Sequence, residues 1–170
     1  YLFRDGSPAA GTDTITVGAA GVMQNPIRYP AVQGYLPYIV NAEGEHEHQD
    51  EFVARTLTED IELTVYYLPT TVQYQIVVYQ QNVENDNYTK LSDPIVRYAE
   101  TGSLVPDFTK EQPDGVKLEF EGFYPLLHEM PPVAADGSTL VEMYFDRYYY
   151  LMTFNLDGGY GVDPIYARYG

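Results

Sequence analysis

The 170-residue chain has no cysteine, no tryptophan and only three lysines. Without cysteine, disulfides and thiolate metal sites are excluded. That absence does not fix the compartment. Nine Lys and Arg stand against 25 Asp and Glu, for a net charge of -16 and a pI near 4.2. A nucleic-acid partner is therefore not expected, because phosphate binding needs clustered basic side chains. A peripheral place on anionic membrane is disfavoured for the same reason. No apolar run approaches the roughly 20 residues of a membrane span, so no membrane insertion is expected in this segment. The chain has no signal-peptide pattern. It starts at Tyr1 without Met and ends after an apparent hairpin, and it reads as a piece of a longer protein. Catalytic motifs are also missing. There is no Gly-x-Ser-x-Gly elbow, no His-Glu-x-x-His and no phosphate-binding loop. Paired carboxylates of the glycosidase kind stay open among the 25 acidic residues, but a small β module offers no obvious deep cleft for them. No enzyme is expected, and no cofactor is implied.

What the chain has in excess is tyrosine, 18 residues, with seven Phe. Aromatic and β-branched side chains favour strands. Fourteen Gly and 12 Pro punctuate them, so the class is β-rich. Two stretches organise the rest. In the first, Ile61, Leu63, Val65 and Tyr67 fall on odd positions; after residues 68–71 the apolar set moves to Val72, Tyr74, Ile76 and Val78. In the second, Val141, Met143 and Phe145 are followed by Tyr148, Tyr150, Met152 and Phe154. Side chains alternate faces along a strand, so a change of parity is a change of core. Each stretch reads as the last strand of one module running into the first strand of the next.

Taken in order, the chain repeats a plan. Residues 1–17 read as a hairpin with a turn at Asp5-Gly6-Ser7-Pro8. A short helix is expected around Val22-Met23-Gln24, stopped by Pro26. Strands are expected at 32–40, 52–56 and 57–67, with an acidic loop at 41–51. The second unit has a strand at 72–81, a turn at 83–88 and a return strand at 89–101. One helical turn is expected at Pro106–Glu111, where Pro suits a first helical position. The segment 116–120 is expected to be extended, and 139–145 closes the unit. A third hairpin turns at Asp157-Gly158-Gly159. The modules are thus 1–69 and 70–146, with 147–170 opening a third. Their spacing of about 70–80 residues exceeds the period of solenoids and propellers, and each is large enough for a small core of its own.

The segment Tyr150-Leu-Met-Thr-Phe154-Asn-Leu-Asp157-Gly158-Gly159, continuing through Ile165-Tyr-Ala-Arg-Tyr169-Gly170, resembles the start of a Listeria–Bacteroides repeat, the internalin B-type repeat. Tyr74-Gln-Ile-Val-Val-Tyr79, Gly102, Gly122-Phe123 and Tyr144-Phe145 resemble the mucin-binding protein (MucBP) repeats of Gram-positive surface proteins. Gly34-Tyr35 and Val65-Tyr66-Tyr67 echo them in the first unit. The resemblance covers nearly the whole chain. It implies a β-rich α+β fold, built of tandem small β-grasp (ubiquitin-like) modules in an elongated array, each with a short helix or turn on a mixed sheet. It implies an extracellular, cell-wall-anchored adhesin, with host mucin or another glycan as partner and neighbouring repeats alongside. The family supplies no catalytic residues. Some members look like spacers, so a non-binding stalk is the alternative. The chain departs from the Listeria type in lacking the Trp that often follows the Gly-Tyr motif, and its first unit carries an insertion around 41–51.

Tyr66, Tyr79, Tyr144 and Tyr149 are the candidate ligand-binding residues. Their parity is opposite to, or ambiguous with, the core set, and an exposed Tyr can stack on a sugar ring. The competing reading is cross-strand aromatic packing. His46 and His48, in Glu43-Gly-Glu45-His46-Glu47-His48-Gln-Asp50-Glu51, are the candidate metal ligands. On a strand they share a face and can grip a divalent ion with a carboxylate; the competing reading is a solvated acidic loop. Residues 82–87 and 155–159 offer oxygen ligands for calcium, but turn chemistry explains both. Asn87-Tyr88-Thr89 fits a glycosylation sequon, without consequence in a bacterial protein. Lys90, Lys110 and Lys117 have no marked partner for an isopeptide bond.

Overall fold

The computed structural model describes residues 1–9, 21, 26–53 and 56–170. Thirteen strands run along them: β1 Leu2–Phe3, β2 Ile27–Arg28, β3 Tyr35–Val40, β4 His46–His48, β5 Glu51–Phe52, β6 Tyr66–Pro69, β7 Thr71–Gln81, β8 Tyr88–Lys90, β9 Ile95–Glu100, β10 Phe123–Pro125, β11 Leu140–Arg147, β12 Tyr149–Met152 and β13 Ile165–Arg168. Two compact units result. Unit 1 comprises Tyr1–Val72, Glu100–Gly102 and Ala134–Gly137; unit 2 comprises Gln73–Ala99, Ser103–Val133 and Ser138–Gly170.

Unit 1 is built on the sheet order β1-β6-β3-β4, with β2 and β5 as a separate pair. β1 lies parallel to β6, placing Leu2 beside Tyr66, and β3 lies antiparallel to β6. Val65 and Tyr67 are buried at its centre, and Tyr67 is completely enclosed. Its hydroxyl donates to the Pro30 carbonyl at 2.6 Å. Burial, with Tyr1 and Tyr29 nearby, pushes its phenol up to about 12. Phe3 and Tyr35 pack with ring centres 4.8 Å apart.

Unit 2 is built on the order β10-β11-β7-β8, with β9 also on β7. β11 runs parallel to β7, from Leu140 beside Gln75 to Phe145 beside Gln80. Inward-facing Val141, Met143 and Phe145 meet Tyr74, Ile76 and Val78, and all six are buried. Phe120 sits edge-on to Phe145 at 4.9 Å. Each such burial stabilises by about 1.5–3 kcal/mol, so this one face carries most of the unit's core. The hairpin β12–β13 forms a two-stranded sheet.

The α+β expectation is corrected: among the described residues the chain is all-β and contains no helix. The short helix expected at 22–24 lies outside them. The one expected at 106–111 is a turn. The Asp107 carboxylate accepts from the Thr109 amide and hydroxyl, and the Lys110 ammonium stands 3.1 Å away. The Gln112 side chain donates to the Asp107 and Lys110 carbonyls. These local bonds compete with a helical ladder, and a single turn cannot repay helix nucleation. The long closing strand expected at 57–67 is ordered as β6 only from Tyr66; Ile61 and Leu63 are about 40% exposed, each at 41%. The acidic loop at 41–51 instead contains β4. The Asn41 carboxamide oxygen accepts from the Glu43 and Glu45 amides, and Gly44 takes φ +82°. This closes a tight hairpin.

Candidate functional site

The outer face of the unit 2 sheet gathers four tyrosines around two carboxylates. Register places Tyr144 beside Tyr79, and the rings stack at 4.9 Å with 10° between planes. Both hydroxyls donate to Glu142, each at 3.2 Å. Tyr88, on β8, meets Tyr144 edge-on at 5.0 Å and donates to Asp146 at 2.5 Å. Tyr124, on β10, approaches the same carboxylate at 3.4 Å. The Asp146 bond, with burial, raises the Tyr88 phenol to about 12. Burial first, and then the neighbouring carboxylate, raises Tyr79, Tyr124 and Tyr144. All four therefore remain protonated donors at neutral pH. The structure brings Tyr79 and Tyr144 together, but it engages their ring faces with each other and their hydroxyls with Glu142. Tyr88 and Tyr124 complete the cluster, and neither is marked as a site residue by the sequence. The register that joins them is a product of sheet pairing, with no local signal in the chain.

Tyr149 lies elsewhere in unit 2, half exposed beneath the Arg168 guanidinium. Arg168 Nε donates to its hydroxyl at 2.8 Å. The same guanidinium donates to the carbonyls of Asn82, Val83 and Asn85, and pairs with Asp86. The Asn- and Asp-rich turn at 82–87 thus wraps a side-chain cation, with the carbonyls a calcium ion would need facing Arg168. At 155–159 the Asn155 side chain accepts from the Asp157 amide, and Gly159 donates to the Leu156 carbonyl, as a turn requires.

In unit 1, His46 and His48 share one face of β4, as the period of two demands, opposite Val40 and Tyr38. His46 stacks on Tyr66 at 5.8 Å with 14° between planes. His48 Nδ1 is 3.0 Å from the Pro37 carbonyl, so it carries the proton, and Nε2 lies 3.5 Å from Asp50. Among the described residues no three His, Asp or Glu side chains converge as metal ligands.

The same unit contains a groove of about 770 Å³. Tyr29, Tyr35, Pro30 and Pro37 supply ring and apolar walls; Arg28, Gln49, Asp50 and Glu51 supply polar groups. Arg28 and Glu51 pair across β2 and β5 at 3.7 Å. Gln49 donates its amide to the Pro37 carbonyl, which holds this stretch against β3. Tyr35 belongs to the Gly34-Tyr35 motif, but that motif does not mark it as a site residue. Tyr29 and Gln49 reach the groove only through the pairing of strands that flank them. No protein-family model, curated protein or solved structure matches the chain.

Proposed function

We propose that the chain is a repeat segment of a bacterial cell-surface adhesin, held outside the cell, whose first unit binds a glycan of host mucin or a similar glycoprotein. The groove in unit 1 carries this reading. Its volume lies in the range of small-ligand sites. Tyr and Pro rings suit the apolar face of a sugar, while Gln49, Asp50 and Glu51 suit its hydroxyls. Among the described residues the lining holds one cation and two carboxylates, on a chain of net charge -16. Like-charge repulsion therefore disfavours sialylated or sulfated sugars and favours neutral ones. A second reading, a spacer that binds nothing, draws on unit 2, where Tyr79 and Tyr144 are locked by Glu142.

The test is binding of the fragment to immobilised mucin and to a glycan array, before and after removal of sialic acid and sulfate. Saturable binding that survives or strengthens on removal is expected. Gln49→Ala should weaken it by about tenfold, the equivalent of one hydrogen bond. Absence of saturable binding at millimolar sugar would transfer the assignment to the spacer.

A further inference from the structure

One hydrogen-bonded junction occurs twice in the molecule. In unit 1 the Thr70 amide donates to the Gly34 carbonyl at 2.8 Å, and the Thr101 amide donates to the Thr70 carbonyl at 3.0 Å. In unit 2 the Tyr148 amide donates to the Gly122 carbonyl and the Tyr169 amide to the Tyr148 carbonyl, both at 2.9 Å. The chain around the second donor matches too: Tyr98-Ala-Glu-Thr-Gly102 against Tyr166-Ala-Arg-Tyr-Gly170. Gly102 and Gly170 both take positive φ, +79° and +103°.

The junction aligns β7 with β12. Thr70 stands where Tyr148 stands, so Val72, Tyr74 and Ile76 correspond to Tyr150, Met152 and Phe154. Their environments differ. Tyr74 and Ile76 are 2% and 1% exposed, with β11 parallel beside their strand. Met152 and Phe154 are 48% and 43% exposed, and Tyr150 is 54%. Among the described residues β12 pairs with β13 alone, which occupies one edge. The other two opening strands are covered on the corresponding side: β1 by β6 and β7 by β11, both in parallel. A row of large apolar side chains beside a free edge is a template for strand addition.

We infer that the open edge of β12 is a docking surface for a parallel strand with large apolar residues at alternate positions. Its occupant is the closing strand of a further module of the β6 and β11 kind. This rests on the reading of the chain as a repeat segment. A second copy fits less well. Pairing of two β12 edges about a twofold axis is antiparallel, whereas both precedents are parallel. The β11 of a second copy is already flanked on both sides by β10 and β7. The geometry also suits delivery from the same chain. β13 returns to the start of β12, with Arg168 beside Tyr149, so a strand entering from there runs parallel to β12.

The experiment extends the full chain with a Gly/Ser linker of about 12 residues, enough to cross one strand, and a second copy of the sequence Thr139–Arg147. Amide hydrogen exchange is compared with the unextended chain. Exchange at residues 151–155 should slow by about tenfold or more. A control extension carrying Met143→Glu and Phe145→Glu in the added copy should leave it unchanged. The inference is overturned if the extension does not slow exchange at β12, if it acts at β7 instead, or if the control slows it equally. It is also overturned if the unextended chain sediments as a dimer with β12 protected, which assigns the edge to a second copy. The mucin assay separates the two ideas. Docking without glycan binding removes the ligand and keeps the array; glycan binding without docking does the reverse.

Discussion

Tyr88 shows what a single side chain contributes to the unit 2 sheet. Its hydroxyl donates to Asp146, and that bond, with burial, raises its phenol to about 12 from an ordinary 10. The fold therefore prefers the neutral phenol. This contribution is fully present below pH 10 and is lost as the pH climbs from 10 towards 12. Tyr88→Phe is expected to cost about 1 kcal/mol at neutral pH, discounted for the part-exposed site, and to flatten the alkaline loss of stability. Urea unfolding at pH 7 and across pH 9–12 checks both. A mutant that loses stability above pH 10 as steeply as the parent would assign the alkaline transition to other groups. The parity of Tyr79 and Tyr144 in the sequence does place them off the core face. Their shared acceptor, Glu142, becomes evident only when β11 is laid beside β7.

Among the connecting elements, the glycine turns before β3 and β10 are the most constrained. Tyr35 donates to the Val32 carbonyl and Phe123 to the Phe120 carbonyl, with Gly34 and Gly122 at φ +77° and +80° between them. A side chain at Gly34 would meet Ala135 and Thr101; one at Gly122 would overlap the Tyr169 ring. Gly115 has nearly the same φ, +76°, but open space around it. Gly115→Ala should therefore cost about 1–2 kcal/mol, the conformational term alone. Gly122→Ala should cost more, by about 2 kcal/mol of overpacking, and should displace Tyr169. Thermal or urea melts of the two variants make the comparison; equal losses would mean that the Tyr169 contact is not sustained in solution. The Gly-aromatic echo was legible in the chain because a left-handed turn demands Gly. The missing helical turn at 106–111 was not, because Pro and Asp also open helices, and only the Asp107 and Gln112 bonds decide against one.

For the molecule as a whole, charge is the dominant surface property. A net -16 over 170 residues produces self-repulsion that opposes the compact state. Several of the ion pairs, such as Arg28 with Glu51, are too exposed to offset it. Added sodium chloride should therefore raise the midpoint of thermal unfolding by a few degrees between about 10 mM and 300 mM, as the screening length shrinks. Calorimetry at three salt concentrations checks this. A midpoint that falls with salt would show that attractive pairs such as Arg168 with Asp86 outweigh the repulsion.

The β-rich class, the repeat of Gly-aromatic turns, the alternation that puts Val141, Met143 and Phe145 on one face, and the exclusion of disulfides can all be read along the chain. These follow from local chemistry: the period of a strand, the φ range of glycine and the absence of a thiol. Tertiary structure alone decided that no helix forms among the described residues, that Glu142 and Asp146 bind the tyrosines of three other strands, and that Arg168 fills the turn at 82–87. It also decided that Tyr29 and Gln49 share a groove. Such contacts join residues far apart in the chain. They depend on the register and pairing of strands, which the nearby sequence does not encode.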